Sequence, residues 1–151
     1  MLSSILYFMS LALEEAIKAQ EIDEVPVGAI IVKDNKVIGR GFNSVINDNS
    51  VSSHAEIKAI NQASQHLNNY RLIDCDIFVT LEPCHMCAKA ILDARINFLY
   101  FGAREPKTGA IESIDSFFQR DDLNHTVLFN GGYLQNESSK LLKAFFQNRR
   151  N

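Results

Sequence analysis

Two short motifs supply four residues that could act on one another chemically. His54 and Glu56 lie in "HAEI", and Cys84 and Cys87 lie in "PCHMC" about 30 positions further on. Imidazole and thiolate are donor types that bind zinc, and cysteines spaced i, i+3 at a helix start can aim both sulfurs to one side. A helix N-terminus also favours the thiolate through its unpaired N–H groups and its dipole. The number of donors decides what such a site does. Structural zinc sites usually close with four protein ligands, whereas three leave a position for water. One neutral imidazole and two thiolates cancel the charge of Zn²⁺, leaving a Lewis acid able to bring the pKa of a water down to roughly 7. Glu56 is not needed as a ligand. A carboxylate there can take a proton from that water and deliver it to a substrate nitrogen.

Other readings of these residues stand beside that one. A closed zinc knot would take His85 or Cys75 as its fourth donor. His85 is adjacent to Cys84 and would point away from it, and Cys75 precedes a strand, where a small buried hydrophobe is the commoner reading. A redox dithiol at C-x-x-C would leave His54 and Glu56 without a role. A silent, zinc-stabilised RNA-binding subunit would have no use for the Glu56 carboxylate, and a zinc-dependent interaction module would have four protein ligands.

The elements that must position these residues can be read from periodicity. In "ILYFMSLALEEAIKAQ", Ile5, Phe8, Met9, Ala12 and Ala16 follow the spacing of one helical face. The stretch lacks the preceding basic segment and following small-residue site of a secretory signal, so an amphipathic helix is expected. "GAIIVK" and "KVIGRGF" around "DN" predict a β-hairpin, and "SVINDNSVSS" reads as loop. A helix is expected from about His54 to Leu67, with Ile57, Ile60 and Ala63 on its buried face. "DIFVT" predicts a strand, "PCHMCAKAILDA" a helix with Pro83 near its first turn, and "INFLYFG" another strand. "REPKTGA" reads as loop, "IESIDSFF" as one or two helical turns, "HTVLFN" as a strand and "LQNESSKLLKAFFQN" as a closing helix. The alternation implies an α/β domain with a largely parallel sheet after the hairpin.

At 151 residues one domain spanning 1–151 is expected, large enough to bury a core without staples. The net charge of -3 argues against a nonspecific nucleic-acid coat but allows a local basic patch. Three cysteines cannot all pair within one chain, which favours a reducing, cytoplasmic setting where cysteines bind metal or catalyse.

H-A-E followed by P-C-x-x-C resembles the signature of the zinc-dependent nucleobase deaminases. "EVPVGAIIV", "GFN", "HAEI", "NYRLIDCDIFVTLEPCHMC", "FGAREPKTGA" and "FFQNRR" narrow the similarity to the bacterial tRNA-specific adenosine deaminases of the TadA type, from about Glu24 to Arg150. The resemblance implies a cytidine-deaminase-like, three-layer α/β/α sandwich with a central five-stranded mixed sheet. It implies a cytoplasmic homodimer that converts the wobble adenosine, position 34 of an arginine tRNA anticodon stem-loop, to inosine. Residue by residue, His54, Cys84 and Cys87 match the ligands of one Zn²⁺ per chain, and Glu56 matches the proton shuttle. Asn43 matches a side chain that hydrogen-bonds the target purine, and Val27 and Leu81 match walls of the base pocket, where plain core packing is the other reading.

Glu105 stands where the family commonly has Asp, near the sugar-phosphate of the bound loop, and Lys107 in "PKTGA" follows it. The closing "KLLKAFFQNRR" places Arg149 and Arg150 beside Phe145 and Phe146, a basic, aromatic end suited to RNA, although one Phe fits the core. "SVSSHAE" departs from the usual approach to the histidine. Lys89 replaces a common small residue and is expected to be solvated. A free-base deaminase of the same fold is the nearest rival, and it would need no basic tail.

Overall fold

A computed structural model describes residues 1–150, with the side chain of Arg150 excepted. The elements are α1 (Leu2–Glu21), β1 (Gly28–Lys33), β2 (Lys36–Phe42), α2 (Val45–Asp48), α3 (Ala55–Leu67), β3 (Cys75–Leu81), α4 (His85–Asp93), β4 (Phe98–Ala103), a 3-10 turn (Phe117–Gln119), β5 (Leu128–Gly131) and α5 (Gln135–Arg150). The sheet order is β2-β1-β3-β4-β5. β1 runs antiparallel to both β2 and β3, while β3–β4 and β4–β5 are parallel, so the sheet is mixed as expected.

Asp34 and Asn35 both take positive φ, 51° and 62°, which is the two-residue hairpin turn that matches strand twist. The run "GAIIV" is buried throughout because β1 is covered on both faces. Ile30 and Val32 join Phe8, Met9 and Ala12 of α1 and Phe78 of β3 in one core cluster. Ala29 and Ile31 join Ala59, Ala63, Ile77, Val79, Ile91 and Leu99 in the other, beneath α3 and α4. α5 packs against β3 and β4 and meets α1. Among the described residues no helix is long and apolar enough to cross a membrane.

Helix α3 lies almost on the backbone of β2. Its contact stripe is Ala55, Ala59 and Ala63, all fully buried. A Cβ at Gly41 would collide with the carbonyl of Ala55 and the nitrogen of Ala59, and one at Gly39 with the carbonyl of Ala59. Two glycines on the strand and three alanines on the helix therefore set the height of α3 above the sheet. Ile57, expected on the buried face, is only half-buried, while Ile60 and Ala63 are buried as expected.

Three local expectations need correction. Val45–Asp48 is a short helix where loop was expected, closed by Asn49 in the left-handed conformation. Pro83 lies near the first turn of α4 as expected, directly before the cap residue Cys84, but the helix itself begins at His85, two positions later than "PCHMCAKAILDA" suggested. "IESIDSFF" forms no regular helix, only the 3-10 turn at its end.

Candidate metal and catalytic site

His54 is the cap residue of α3 and Cys84 the cap residue of α4, each with extended backbone. The two helix starts bring their cap residues together. Neither residue uses its side chain to cap its own helix, which leaves both free for other work. Asn43 takes over that duty for α3: its Oδ1 accepts the N–H of Ala55 at 2.8 Å.

Cys84 Sγ lies 3.8 Å and Cys87 Sγ 3.5 Å from His54 Nδ1, and all three donor atoms fall within 4.8 Å of one another. Tetrahedral zinc, with bonds of about 2.0–2.3 Å, holds such donors roughly 3.5–3.8 Å apart, so the group could hold a metal ion of that kind. The charge at the site points the same way. A hydrogen bond from Cys87 pushes the Cys84 thiol down to about 3 despite burial, with further help from His54. Cys87 is driven well above the ordinary thiol range by its bond to Cys84, by burial and by the charge of Glu56. His54 is raised, first by its bond to Cys84 and also by the charges of Glu56 and Cys84, against burial. Protein groups alone thus favour only one thiolate; a divalent cation would stabilise both.

Glu56, two residues into α3, is 4% exposed. Burial pushes its carboxyl up to about 7, although the charge of His54 pulls the other way. That is the protonation range suited to a group that both takes and gives protons near neutrality. Its rim is a cleft of about 400 Å³. Val27, Asn43 and Leu81 line this cleft with His54, Glu56 and Cys84, and so do Ile46 of α2 and Thr108 of the 104–113 loop.

The basic and aromatic candidates lie elsewhere. Lys107 borders a separate groove of about 530 Å³ with Leu142, Lys143, Phe146 and Gln147. The Glu105 carboxylate accepts the N–H of Lys107 at 2.9 Å and so closes its own turn. Phe145 is buried, with the Arg149 guanidinium 4.5 Å above its ring, and Arg149 also donates to the carbonyl of Asp23. The exposed aromatic is Phe146. The side chain of Arg150 lies outside the described residues. His85, considered as a fourth ligand, turns outward to Asp115 at 2.8 Å. Cys75 is buried, its Sγ bonded to the Ile73 carbonyl and its thiol pushed up to about 11, chiefly by burial. Lys89 is exposed and pairs with Asp93 at 2.6 Å.

The profile of the MafB19-like deaminases matches residues 4–150. The chain belongs to that family. Among its relatives, the tRNA-specific adenosine deaminase of Agrobacterium fabrum is 46% identical over 144 residues, 95% of this chain and 95% of that one. The tRNA-specific adenosine deaminase of Haemophilus influenzae is 47% identical over 143 residues, 94% of this chain and 83% of that one. A solved structure from studies of A-to-I editing by tRNA:A34 deaminases superposes with a TM-score of 0.87 at 47% identity, over 90% of this chain and 99% of that one. Guanine deaminase of Bacillus subtilis superposes at 0.63 with 31% identity, over 96% and 92%. The five-stranded mixed sheet between helices is the cytidine-deaminase-like fold of these deaminase neighbours.

Two cleft residues of this deaminase family member were invisible to motif reading. Glu24 accepts the N–H groups of Ile46 (3.2 Å) and Asn47 (2.7 Å) and the Asn47 amide, holding α2 at the rim. Glu82 does the same for the opposite rim, residues 105–113. In both, burial raises the carboxyl pKa, and the hydrogen bonds outweigh it and hold the group below its ordinary range. The available signal was an acid at the edge of an apolar run beside a site motif, in "EVPVGA" and "TLEPC".

Proposed function

We propose that this protein is a zinc-dependent tRNA adenosine deaminase that converts adenosine to inosine at wobble position 34 of an arginine tRNA. In this reading residues 1–151 form one catalytic domain, working as a cytoplasmic homodimer. The observation that carries it is the buried Glu56 carboxyl lining the same cleft as a His-Cys-Cys donor group. The names and coverage of the relatives support the tRNA assignment.

His54, Cys84 and Cys87 would hold Zn²⁺, which when bound supplies Lewis acidity that brings the pKa of a water to roughly 7. Glu56 moves the protons. It accepts one from the attacking water as the C6–O bond forms and delivers it to N1 of the purine. It then passes the second to the exocyclic amine; the C6–N bond breaks and ammonia leaves, so adenosine and water become inosine and ammonia. Val27 and Leu81 wall the base, and Asn43, held by the start of α3, presents its amide to the purine edge. The buried cleft admits a base only once it has left its stack, which costs a few kcal/mol and least in a single-stranded loop. Glu105, Lys107, Phe145, Arg149 and Arg150 belong to the side that meets the anticodon stem-loop. For Phe145 the contribution is as the support on which Arg149 rests.

The test is incubation of zinc-loaded protein with an arginine tRNA anticodon stem-loop, followed by digestion to nucleosides. Inosine is expected, and a chelator should remove it. Free adenosine, cytidine and guanine run in parallel, the guanine arm because of the Bacillus subtilis likeness. Conversion of a free base alone would sink the tRNA assignment.

A further inference from the structure

Glu82 stands between β3 and Cys84, and the residue is 2% exposed. One oxygen accepts the N–H of Glu105 (3.1 Å) and the hydroxyl of Ser113. The other accepts the N–H groups of Ile111 (3.1 Å), Glu112 (2.8 Å) and Ser113 (2.9 Å). Five donors from one loop converge on one buried charge. Three successive N–H groups around an anion form a nest, and charge-assisted bonds of this kind are about twice as strong as neutral ones.

The loop is also shaped around that carboxylate. A Cβ on Gly109 would collide with the Glu82 carboxyl carbon and with Oε1 (2.5 Å), so only glycine lets the chain pass there. The Ala110 N–H donates to the Pro83 carbonyl at 2.9 Å, a second tie to the same turn. Consecutive residues of this loop serve two different surfaces. Thr108 lines the cleft with His54 and Glu56, and Lys107 borders the groove with Lys143 and Phe146.

We infer that Glu82 is a positioning residue, which fastens residues 105–113 to the turn presenting Cys84 and so fixes the basic groove relative to the cleft. The inference rests on the reading of the cleft as the deaminating site of a tRNA enzyme. A substrate that spans cleft and groove, a nucleotide with its flanking chain, depends on that alignment. The chemistry at the base depends on it far less. Glu82 therefore acts on how tightly a polynucleotide is held.

Glu82→Gln replaces one acceptor oxygen with an amide donor aimed at N–H groups. Amide hydrogen exchange at 105 and 111–113 should accelerate by tenfold or more, with the α3 amides and the metal-to-chain ratio unchanged. With an arginine tRNA anticodon stem-loop, KM should rise tenfold or more while kcat falls by less than threefold. Gly109→Ala, whose added methyl presses on the carboxylate but leaves its charge in place, should move exchange and KM the same way, and Ser113→Ala should do so by a smaller factor. Unchanged exchange and KM in Glu82→Gln overturn the inference, as does a fall in kcat at constant KM or loss of the metal. Should Glu82→Gln fail to fold, the other two variants decide: no acceleration at 105, 111 and 112 in either of them overturns it. If the wild-type protein makes no inosine, the tRNA reading fails, and the exchange measurement still decides whether Glu82 holds the loop.

Discussion

His54 and Glu56 sit at the start of α3, which the strand beneath gives no room to shift, and Cys84 and Cys87 at the start of α4 beside it, whereas Lys107, Phe146 and Arg149 project from a loop and from the last helix. In the first group, His54 and Glu56 are placed by backbone-level packing, through Gly39 and Gly41 under α3 and the Ala55–Ala59–Ala63 seam. The second group is exposed, and Arg149 is already engaged with its own chain through Phe145 and the Asp23 carbonyl. Buried reactive groups of this kind have few alternatives, so their geometry follows from the fold. Exposed cations have several partners to choose from, so residue type alone says little about their task.

The contrast can be broken or sharpened by substitution. Glu56→Ala should cut turnover by roughly 10²- to 10⁴-fold while zinc content, read by atomic absorption, is retained. Loss of the metal as well would make Glu56 a ligand and dissolve the distinction between holder and proton carrier. Gly41→Ala should come next. The added methyl meets the α3 backbone, costing about 1–3 kcal/mol of stability by denaturant titration and lowering activity by displacing His54 and Glu56.

Glu24→Gln tests the rim without touching the donors. The folded pKa of Glu24 lies below its ordinary 4.5, so its stabilisation is complete above that value and is lost as pH falls through the folded pKa. The variant should be less stable at pH 7, and its stability should depend less on pH across the acidic range. Arg149→Ala should have the smallest effect on the fold, about 0.5–1 kcal/mol from the lost guanidinium–ring contact. If Arg149 also meets a phosphate, the slope of log affinity against log salt for the stem-loop should fall by about one, as it should for Lys107→Ala. A stability loss with an unaltered slope would make Arg149 a purely internal strut.

The hairpin, the helix starts and the donor trio were legible because each signal is local. "DN" between β-branched runs specifies its turn, and C-x-x-C places two sulfurs on one helical face. What escaped was non-local. The N–H groups of Ile111, Glu112 and Ser113 bond to Glu82, 29–31 positions away, and not to carbonyls of their own segment. That is why "IESIDSFF" does not become a regular helix despite its composition. α2 escaped for a different reason, since four residues are too few to show a period, and Glu24 holds its start from 22 positions back. The approach of α3 to β2 was half-visible: the glycines are plain in "KVIGRGF", but only the packed helix explains why they are there.

Cys75 bears on how the protein can be handled at the bench. Its sulfur is buried at the start of β3 with its thiol pushed up to about 11, so reagents such as iodoacetamide should not find it in the native protein. Cys87 is equally buried and its thiol is raised further, so a colorimetric sulfhydryl count on folded material reports Cys84 alone. It should read one after chelation and fall toward zero as zinc is added back, which turns two inert cysteines into the built-in blank of a simple loading assay.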